Sequence, residues 1–382
     1  MVCVMIWFNR VMQNYYFFPH PEINPYFWTM ILLLGATGLL GHNVLRLLLE
    51  RGEAVRALVR PGSTLLPLGL PGEPAGSGLP EPEVVRGSLL DYDTLLAAAA
   101  GCRAVVNCAG TTDMRLPRVE DFLPVNRDLP ALLCRVLDAS GIRTLVHVST
   151  ANTVAPGTRE RPSDESAPFA APFDRSPYAL SKKAGEDLLL AYAAEHPERR
   201  VVIVNPGFML GAFDAKPSSG TLLLAGWRKP LMAAPRGGKS FLPVRDAATA
   251  IGNALQRGGS GRYLLTGESL TLPEFYALQA RTCGYRQKLV ALPDALVRPA
   301  GRLGDWLQRL GVRTMLCTHN TDQLLVEEWY DCSRAERELG LPHTPLATAI
   351  RDYFAWRDFS FSLFKHNFIC RKIKRFHIKS RI

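Results

Sequence analysis

The chain has 382 residues, of which 47% are hydrophobic and 21% are charged, and its formal net charge is +10. This composition is typical of a globular protein of one or two domains. No apolar run reaches the roughly 18 residues that a membrane span needs, so we expect no membrane span. The eight cysteines show no C-x-x-C or Cys/His metal spacing, which predicts reduced cysteines in a cytoplasmic protein and no metal site.

The two ends of the chain differ in composition from the rest. Residues 1–29 are aromatic, irregular and proline-rich, and they lack the features of a signal peptide. We interpret them as an irregular N-terminal extension and expect translation to start at Met30. Residues 358–382 hold seven basic residues against one acidic residue, mixed with Phe and Ile. This predicts a poorly ordered basic tail. Contact with an anionic membrane or nucleic acid stays an alternative, although we expect no nucleic-acid partner.

From Met30 onward, short apolar runs alternate with helical patterns. The sequence predicts strands at 31–34, 53–59, 83–87, 103–110, 143–150 and 200–207, helices that start near residues 42, 91, 125 and 178, and a Gly/Pro-rich loop at 61–83. Such alternation implies a doubly wound parallel sheet, an α/β fold, over residues 30–206. In residues 207–357 the alternation of strands and helices weakens, which predicts a smaller, interleaved substrate lobe. Within this part, residues 251–267 are predicted to return to the sheet domain as one more helix and strand.

A glycine-rich turn follows the first predicted strand. Gly35, Gly38 and Gly41 form G-x-x-G-x-x-G at the start of a helix. Such a turn needs glycine because the chain bends tightly, the backbone approaches a pyrophosphate, and the helix packs closely on the strand. The N-terminus of the helix then offers free N–H groups to the phosphates. The turn predicts a Rossmann NAD(P)-binding site that includes Thr37 and Leu39.

The second predicted strand ends at Arg60 without a carboxylate. Proteins that prefer NAD usually carry Asp or Glu at this point to bind the adenosine ribose diol. A guanidinium instead suits a 2′-phosphate, because charge-assisted hydrogen bonds to phosphate are strong. We therefore predict NADP(H) in preference to NAD(H), with a solvated, unliganded Arg60 as the alternative.

A tyrosine and a lysine stand four residues apart in the run SPYALSKKAG. On a helix Tyr178 and Lys182 share one face, and a cation beside a phenol is expected to lower the pKa of the phenol. Upstream, Ser149 and Thr150 end the fifth strand, and ligands of open α/β sheets bind at that edge. Together these residues indicate a site for proton transfer.

The motifs GATGLLG, NCAG, VST, YALSK and NPG together resemble the extended short-chain dehydrogenase/reductase (epimerase/dehydratase) family over residues 30–357, and dihydroflavonol-4-reductase-like proteins most of all. The resemblance implies that Tyr178 is the catalytic acid/base, that Lys182 holds the nicotinamide ribose, and that Thr150 binds the substrate carbonyl, with Ser149 as the fallback. It implies that Asn126 supports a proton-relay water, although a helix cap is the alternative. It also implies that the cofactor is lined by Asn107, Ala109, Gly110, Asn205 and Pro206.

Three functions agree with these motifs. The leading interpretation is an NAD(P)-dependent oxidoreductase that acts on a small carbonyl or secondary alcohol. The alternatives are a nucleotide-sugar epimerase or dehydratase with tightly bound NAD, and a non-catalytic NAD(P)-sensing protein. Ala151 and Asn152 follow Thr150 where epimerases and dehydratases often carry a base, which favours the oxidoreductase. A homodimer is possible.

Overall fold

The computed structural model describes residues 30–70, 72–73 and 78–366, with the backbone alone for 361–366. The predicted N-terminal extension lies outside the described residues. The first half alternates strands and helices: β1 (Met30–Leu34), α1 (Leu39–Glu50), β2 (Val55–Val59), β3 (Glu83–Arg86), α2 (Tyr92–Ala99), β4 (Cys102–Asn107), α3 (Leu129–Ser140), β5 (Thr144–Val148), α4 (Pro177–Glu195) and β6 (Arg200–Pro206). All six predicted strands are therefore present, and α1 begins earlier than predicted because Gly41 lies inside its first turn.

The second half is less regular. It contains β7 (Phe208–Leu210), α5 (Gly220–Gly226), β8 (Leu231–Pro235), β9 (Gly238–Pro243), α6 (Val244–Ala254), β10 (Gly261–Leu265), β11 (Ser269–Thr271), α7 (Leu272–Thr282), β12 (Lys288–Leu292), α8 (Asp294–Arg309), α9 (Thr318–Gln323), α10 (Ser333–Leu339) and α11 (Leu346–His366). The helix α11 crosses the boundary that we predicted at residue 358, so the predicted tail begins as helix. Residues 367–382 lie outside the described part.

The main sheet has seven parallel strands in the order β10-β6-β5-β4-β1-β2-β3. This order confirms the doubly wound Rossmann fold, in which the chain winds outward in both directions from β1 and β4. The strand β10 comes from the second half of the chain, as predicted for the interleaved lobe. The carboxyl ends of β4, β5 and β6 therefore lie side by side.

Helices cover both faces of this sheet. In β1, Ile31 and Leu33 belong to one core cluster, and Leu32 and Leu34 belong to the other. Successive side chains of a strand point to opposite faces, and a strand buried on both faces reads as a continuous apolar run. This explains the sequence ILLL. On the first face α1 and α6 pack against the sheet, and on the second face α2, α3 and α4 do so.

The smaller lobe has its own apolar core. It holds a three-stranded sheet, β11-β9-β7, and a two-stranded parallel pair, β12-β8. Its core packs Leu223 of α5, Phe241 of β9, Phe275 of α7 and Tyr353 of α11, and the two Phe rings stack with centroids 4.4 Å apart. Among the described residues no helix is long and apolar enough to cross a membrane.

Candidate active site

The glycine turn between β1 and α1 is too crowded for a side chain at two of its three glycines. Gly35 has a φ of 82°, and a Cβ there would lie 2.6 Å from the backbone nitrogen of Ala109. A Cβ on Gly41 would lie 2.1 Å from the carbonyl oxygen of Gly35. Both positions therefore require glycine. Gly38 is exposed and caps α1 without any side-chain hydrogen bond, so the N–H groups of the first helical turn receive no side-chain cap. These features fit a pyrophosphate, with Thr37 and Leu39 on either side of Gly38.

Arg60 follows the last residue of β2 and its side chain is exposed. The loop after it is anchored elsewhere: Arg46 of α1 donates hydrogen bonds to the carbonyl oxygen of Leu68 at 2.5 Å and to the carboxylate of Glu73 at 2.8 Å. Among the described residues the Arg60 guanidinium has no hydrogen-bond or ion-pair partner. It is therefore free to bind an anion at the end of β2, where the prediction placed the 2′-phosphate.

The end of β4 is fixed by a buried asparagine. The side-chain oxygen of Asn107 accepts a hydrogen bond from the backbone N–H of Ala109 at 3.1 Å, and its nitrogen lies 3.0 Å from Nδ1 of His147. Burial, with a smaller effect of Lys182, holds the pKa of His147 well below its usual value, so the ring is neutral. Asn107 thus shapes the turn that carries Gly110. His147, on β5, gave no signal in the sequence.

Tyr178 and Thr150 come together at the carboxyl edge of the sheet. The Thr150 hydroxyl lies close enough to the Tyr178 hydroxyl to act on its pKa, and the Tyr178 ring packs edge-on against Phe122 with centroids 6.2 Å apart. Ser149, the fallback, is buried and its hydroxyl has no partner among the described residues. The direction of the pKa shift differs from the expected one. Burial raises the pKa of Tyr178, and the Thr150 hydroxyl opposes the rise.

Lys182 lies one helical turn beyond Tyr178 on α4 and is only 3% exposed. Its Nζ donates a hydrogen bond to the carbonyl oxygen of Val148 at 2.9 Å. Burial lowers the pKa of Lys182 to about 8, while Cys108 and Glu186 oppose this shift. A Cβ added to Gly110 would lie 3.1 Å from Nζ, so the lysine reaches the turn after β4. Gly110 of the NCAG motif and Lys182 of the YALSK motif are therefore neighbours in the structure.

Asn126 lies in a π-helical turn, Pro124–Asp128, directly before α3, and it is fully buried. Its side-chain nitrogen donates to the carbonyl oxygen of Thr111 at 3.0 Å and to Oγ of Ser181 at 2.9 Å. Its side-chain oxygen accepts from the N–H of Thr111 at 2.9 Å. Asn126 makes no helix-capping bond, so the structure excludes that alternative. It instead ties the loop after β4 to the helix that carries Tyr178.

A buried carboxylate stands behind these residues. Glu186 is fully buried and accepts hydrogen bonds from the side chains of Asn205 at 2.7 Å and Thr153 at 3.0 Å. It also pairs with Arg262 of β10 at 3.3 Å. Asn205 donates a further hydrogen bond to the carbonyl oxygen of Thr150 at 3.1 Å. The side chain of Asn205, which was predicted to flank the cofactor together with Pro206, is thus part of a network that supports Thr150.

The fold and the glycine turn define a protein of the Rossmann class. The model of the NAD dependent epimerase/dehydratase family matches residues 31–265, and the chain belongs to this family. It is 30% identical over 331 residues to the sterol demethylase protein B of Methylococcus capsulatus, which covers 85% of this chain and 97% of that protein. It is 28% identical to a putative dihydroflavonol 4-reductase of Synechocystis, over 84% of this chain and 92% of that protein. The crystal structure of gox2253 superimposes with a TM-score of 0.72 at 26% identity, over 86% of this chain and 97% of that chain.

Proposed function

We propose that the protein is an NADP(H)-dependent reductase or dehydrogenase that acts on a carbonyl or secondary alcohol. One observation carries this proposal: the hydroxyl groups of Tyr178 and Thr150 lie beside each other at the carboxyl edge of the sheet, with Lys182 buried one helical turn away. Two hydroxyl groups at one point can both bind a single carbonyl oxygen. One of them can also transfer the proton.

The cofactor would be held by the turn at Gly35, Gly38 and Gly41, by the end of β4 at Ala109 and Gly110, and by Arg60. When bound, the nicotinamide would supply or take up the hydride at the substrate carbon. Lys182 would bind the nicotinamide ribose through its ammonium group. Asn205 and Pro206 would line the site through the end of β6.

Each side chain then has one task in the reductive direction. Thr150 donates a hydrogen bond to the substrate oxygen and fixes its position. Tyr178 donates its proton to that oxygen as negative charge develops there. The raised pKa of Tyr178 keeps the phenol protonated, as a proton donor must be. Asn126 holds Ser181 and Thr111 and thereby positions the helix α4 against the turn that carries Gly110, and in this family pattern it would support a relay water.

The residues after Thr150 favour this function over epimerisation or dehydration. Ala151 is buried and apolar, and Asn152 carries no base. A second candidate base that could remove a proton from a sugar carbon is therefore absent at this point of the described site. A nucleotide-sugar enzyme would also retain its NAD through purification, whereas a reductase exchanges NADP(H) at every turnover.

The test is turnover of NADPH with a panel of aldehydes and ketones by the wild type, Tyr178→Phe and Tyr192→Phe. Loss of the proton donor should lower kcat/KM by roughly 10²–10⁴-fold. Tyr192 lies on the same helix and its hydroxyl donates to Asp138 at 2.6 Å, away from Thr150, so its variant is the matched control and should keep its activity. Full activity of Tyr178→Phe would refute the mechanism. Release of tightly bound NAD from the purified protein would favour the nucleotide-sugar alternative.

A further inference from the structure

The helix α8 and the segment after it expose an unusual number of large apolar side chains. Of the twelve large hydrophobic residues that are exposed in the described part of the chain, seven lie between residues 296 and 316. Four of them form what we name the α8 apolar face: Leu296 is 62% exposed, Leu303 54%, Trp306 55% and Leu310 62%. Contiguous exposed apolar surface of this kind marks an interaction site.

The face is ordered by the helical repeat. At about 100° per residue, the four residues of the face fall within a sector of roughly 80°. The opposite side of α8 is fixed to the protein: Val297, Gly301 and Gly304 are buried, and a Cβ on Gly304 would lie 1.3 Å from the carbonyl oxygen of Leu316. The helix therefore cannot rotate to bury its apolar face, which stays directed outward.

Arginines flank the apolar face on one side. Arg298, Arg302 and Arg309 are exposed and fall within a sector of roughly 40° next to Trp306. Among the described residues none of the three has an ion-pair or hydrogen-bond partner. The two acidic residues of α8 are already engaged, because Asp294 pairs with Arg236 at 2.8 Å and Asp305 accepts a hydrogen bond from the N–H of Thr318 at 2.9 Å. The flank is thus a row of uncompensated positive charge.

The buried side of α8 is connected to the main domain through α9. The helix α9, which packs against Gly301 through Thr321, carries Asn320. The side chain of Asn320 donates a hydrogen bond to the carbonyl oxygen of Met114 at 3.1 Å. Met114 belongs to the loop after β4 whose Thr111 is held by Asn126. The buried side of α8 is therefore tied, through α9, to the loop after β4, and the apolar face points away from it.

We propose that the α8 apolar face, with its row of arginines, docks the protein onto an anionic lipid surface. An amphipathic helix that lies in the plane of a membrane buries its apolar side chains at the level of the acyl chains. Its arginines bind the anionic headgroups, and Trp306, at the edge of the apolar face nearest the arginines, occupies the interface that tryptophan prefers. A second copy of this chain fits less well, because it carries the same positive row and the same net charge of +10. The proposal is independent of the proposed reaction.

The test is co-sedimentation of the full chain with vesicles of phosphatidylcholine alone and of phosphatidylcholine mixed with phosphatidylglycerol. The wild type should bind the anionic vesicles, and less so at high salt. The variant Leu303→Ser/Trp306→Ser/Leu310→Ser should bind them roughly tenfold or more weakly. The variant Arg298→Gln/Arg302→Gln/Arg309→Gln should lose most of the preference for anionic over neutral vesicles.

Matched controls separate the face from the rest of the chain. Val84→Ser/Leu90→Ser removes apolar side chains of similar exposure elsewhere, and Arg143→Gln/Arg161→Gln/Arg337→Gln removes three exposed arginines outside α8. Both should bind vesicles like the wild type. Because every variant retains the basic C-terminal residues, unchanged binding of the two α8 variants, or no binding of the wild type, would overturn the proposal. The proposal would also fail if the serine variant turned an oligomer into a monomer in light scattering while its vesicle binding stayed unchanged.

Discussion

The side-chain nitrogen of Asn126 donates a hydrogen bond to Oγ of Ser181 at 2.9 Å, and Ser181 in turn donates to the carbonyl oxygen of Tyr178 at 2.7 Å. Two elements far apart in the sequence are thereby held together at the site. The π-helical turn before α3 also approaches α4 closely, since a Cβ on Gly185 would lie 2.0 Å from the carbonyl oxygen of Asn126. The position of Tyr178 therefore depends on a residue that need not touch the substrate.

Replacing Asn126 with Ala should impair both stability and turnover. The change leaves the N–H of Thr111 without its acceptor, which should lower the free energy of unfolding by about 1–3 kcal/mol. It should also lower kcat at saturating substrate, measured with the carbonyl panel. The control is Asn253→Ala, which removes a partly buried hydrogen bond to the carbonyl oxygen of Leu339 at 2.7 Å, away from the site. If both variants lost stability and kcat equally, Asn126 would have no role beyond folding.

The pH dependence of activity should reflect Lys182. Its pKa of about 8 leaves the ammonium group charged at neutral pH and neutral above about 8. Because the proposed binding of the ribose needs the charge, kcat/KM should fall as the pH rises through about 8. Arginine stays protonated in this range, so Lys182→Arg should lack this decline, although its overall rate should be lower. A decline at the same pH in Lys182→Arg would assign it to another group.

The same pKa makes a prediction for stability. The pKa of Lys182 lies below its ordinary value of 10.5 because burial disfavours the charge. Between about 8 and 10.5 the unfolded chain therefore binds more protons at this site than the folded chain, and the free energy of unfolding should rise with pH. In Lys182→Met this contribution should be absent, as measured by urea unfolding at several pH values. If the free energy of unfolding of Lys182→Met rose with pH as steeply as that of the wild type, the assignment of this rise to Lys182 would be wrong.

Arg60 should select the cofactor. In Arg60→Ala the Kd for NADPH should rise roughly ten- to a hundredfold, because a charge-assisted hydrogen bond to phosphate contributes about 1.5–3 kcal/mol. The Kd for NADH should hardly change. The control is Arg143→Ala, because Arg143 is exposed and precedes β5, at the amino edge of the sheet. Equal NADPH affinity in Arg60→Ala and wild type would remove this role.

Glu186 should contribute more to the free energy of unfolding than Asp187, the next residue in the sequence. Glu186→Gln weakens the pair with Arg262 and changes an acceptor in a fully buried network, which should lower the free energy of unfolding by about 1–3 kcal/mol. Asp187→Asn is the matched control, because the Asp187 side chain is 54% exposed and, in the part of the chain that the structure describes, pairs only with Lys183. That variant should stay within about 0.5 kcal/mol of the wild type in urea unfolding. Similar stabilities of the two variants would show that the buried network of Glu186 contributes no more to stability than the surface pair of Asp187.

Local patterns explain what could be predicted from the sequence. The G-x-x-G-x-x-G turn and the four-residue spacing of Tyr178 and Lys182 depend on the geometry of one turn and one helix, and the parallel, doubly wound sheet follows from the alternation of strands and helices. Contacts between distant segments were not predictable. In the sequence, Glu186 looks like an ordinary charged residue of α4. Its place in a buried network depends on contacts with distant residues such as Arg262, which lies 76 positions later in the chain. The strands β8 and β12 pair Leu231 with Lys288 across a similar separation.

The predicted direction of the Tyr178 pKa shift was wrong for the same reason. A rule for neighbouring charges can be applied to four residues of sequence, whereas burial depends on Phe122 and the rest of the packed surroundings. The charge rule alone therefore missed the larger effect. Likewise, the helical pattern of α8 does not tell which side the rest of the protein leaves uncovered.

The path of the chain through β10 links the two lobes mechanically. A fragment that ended after β6 would lack both the outermost strand of the main sheet, with Arg262, and the helix α6 that covers the apolar surface of α1. The smaller lobe is therefore not a detachable module. Exchange of the whole lobe between relatives would also exchange the outermost strand of the main sheet, and the hybrid would have to re-form the pairing of β10 with β6 before it could fold.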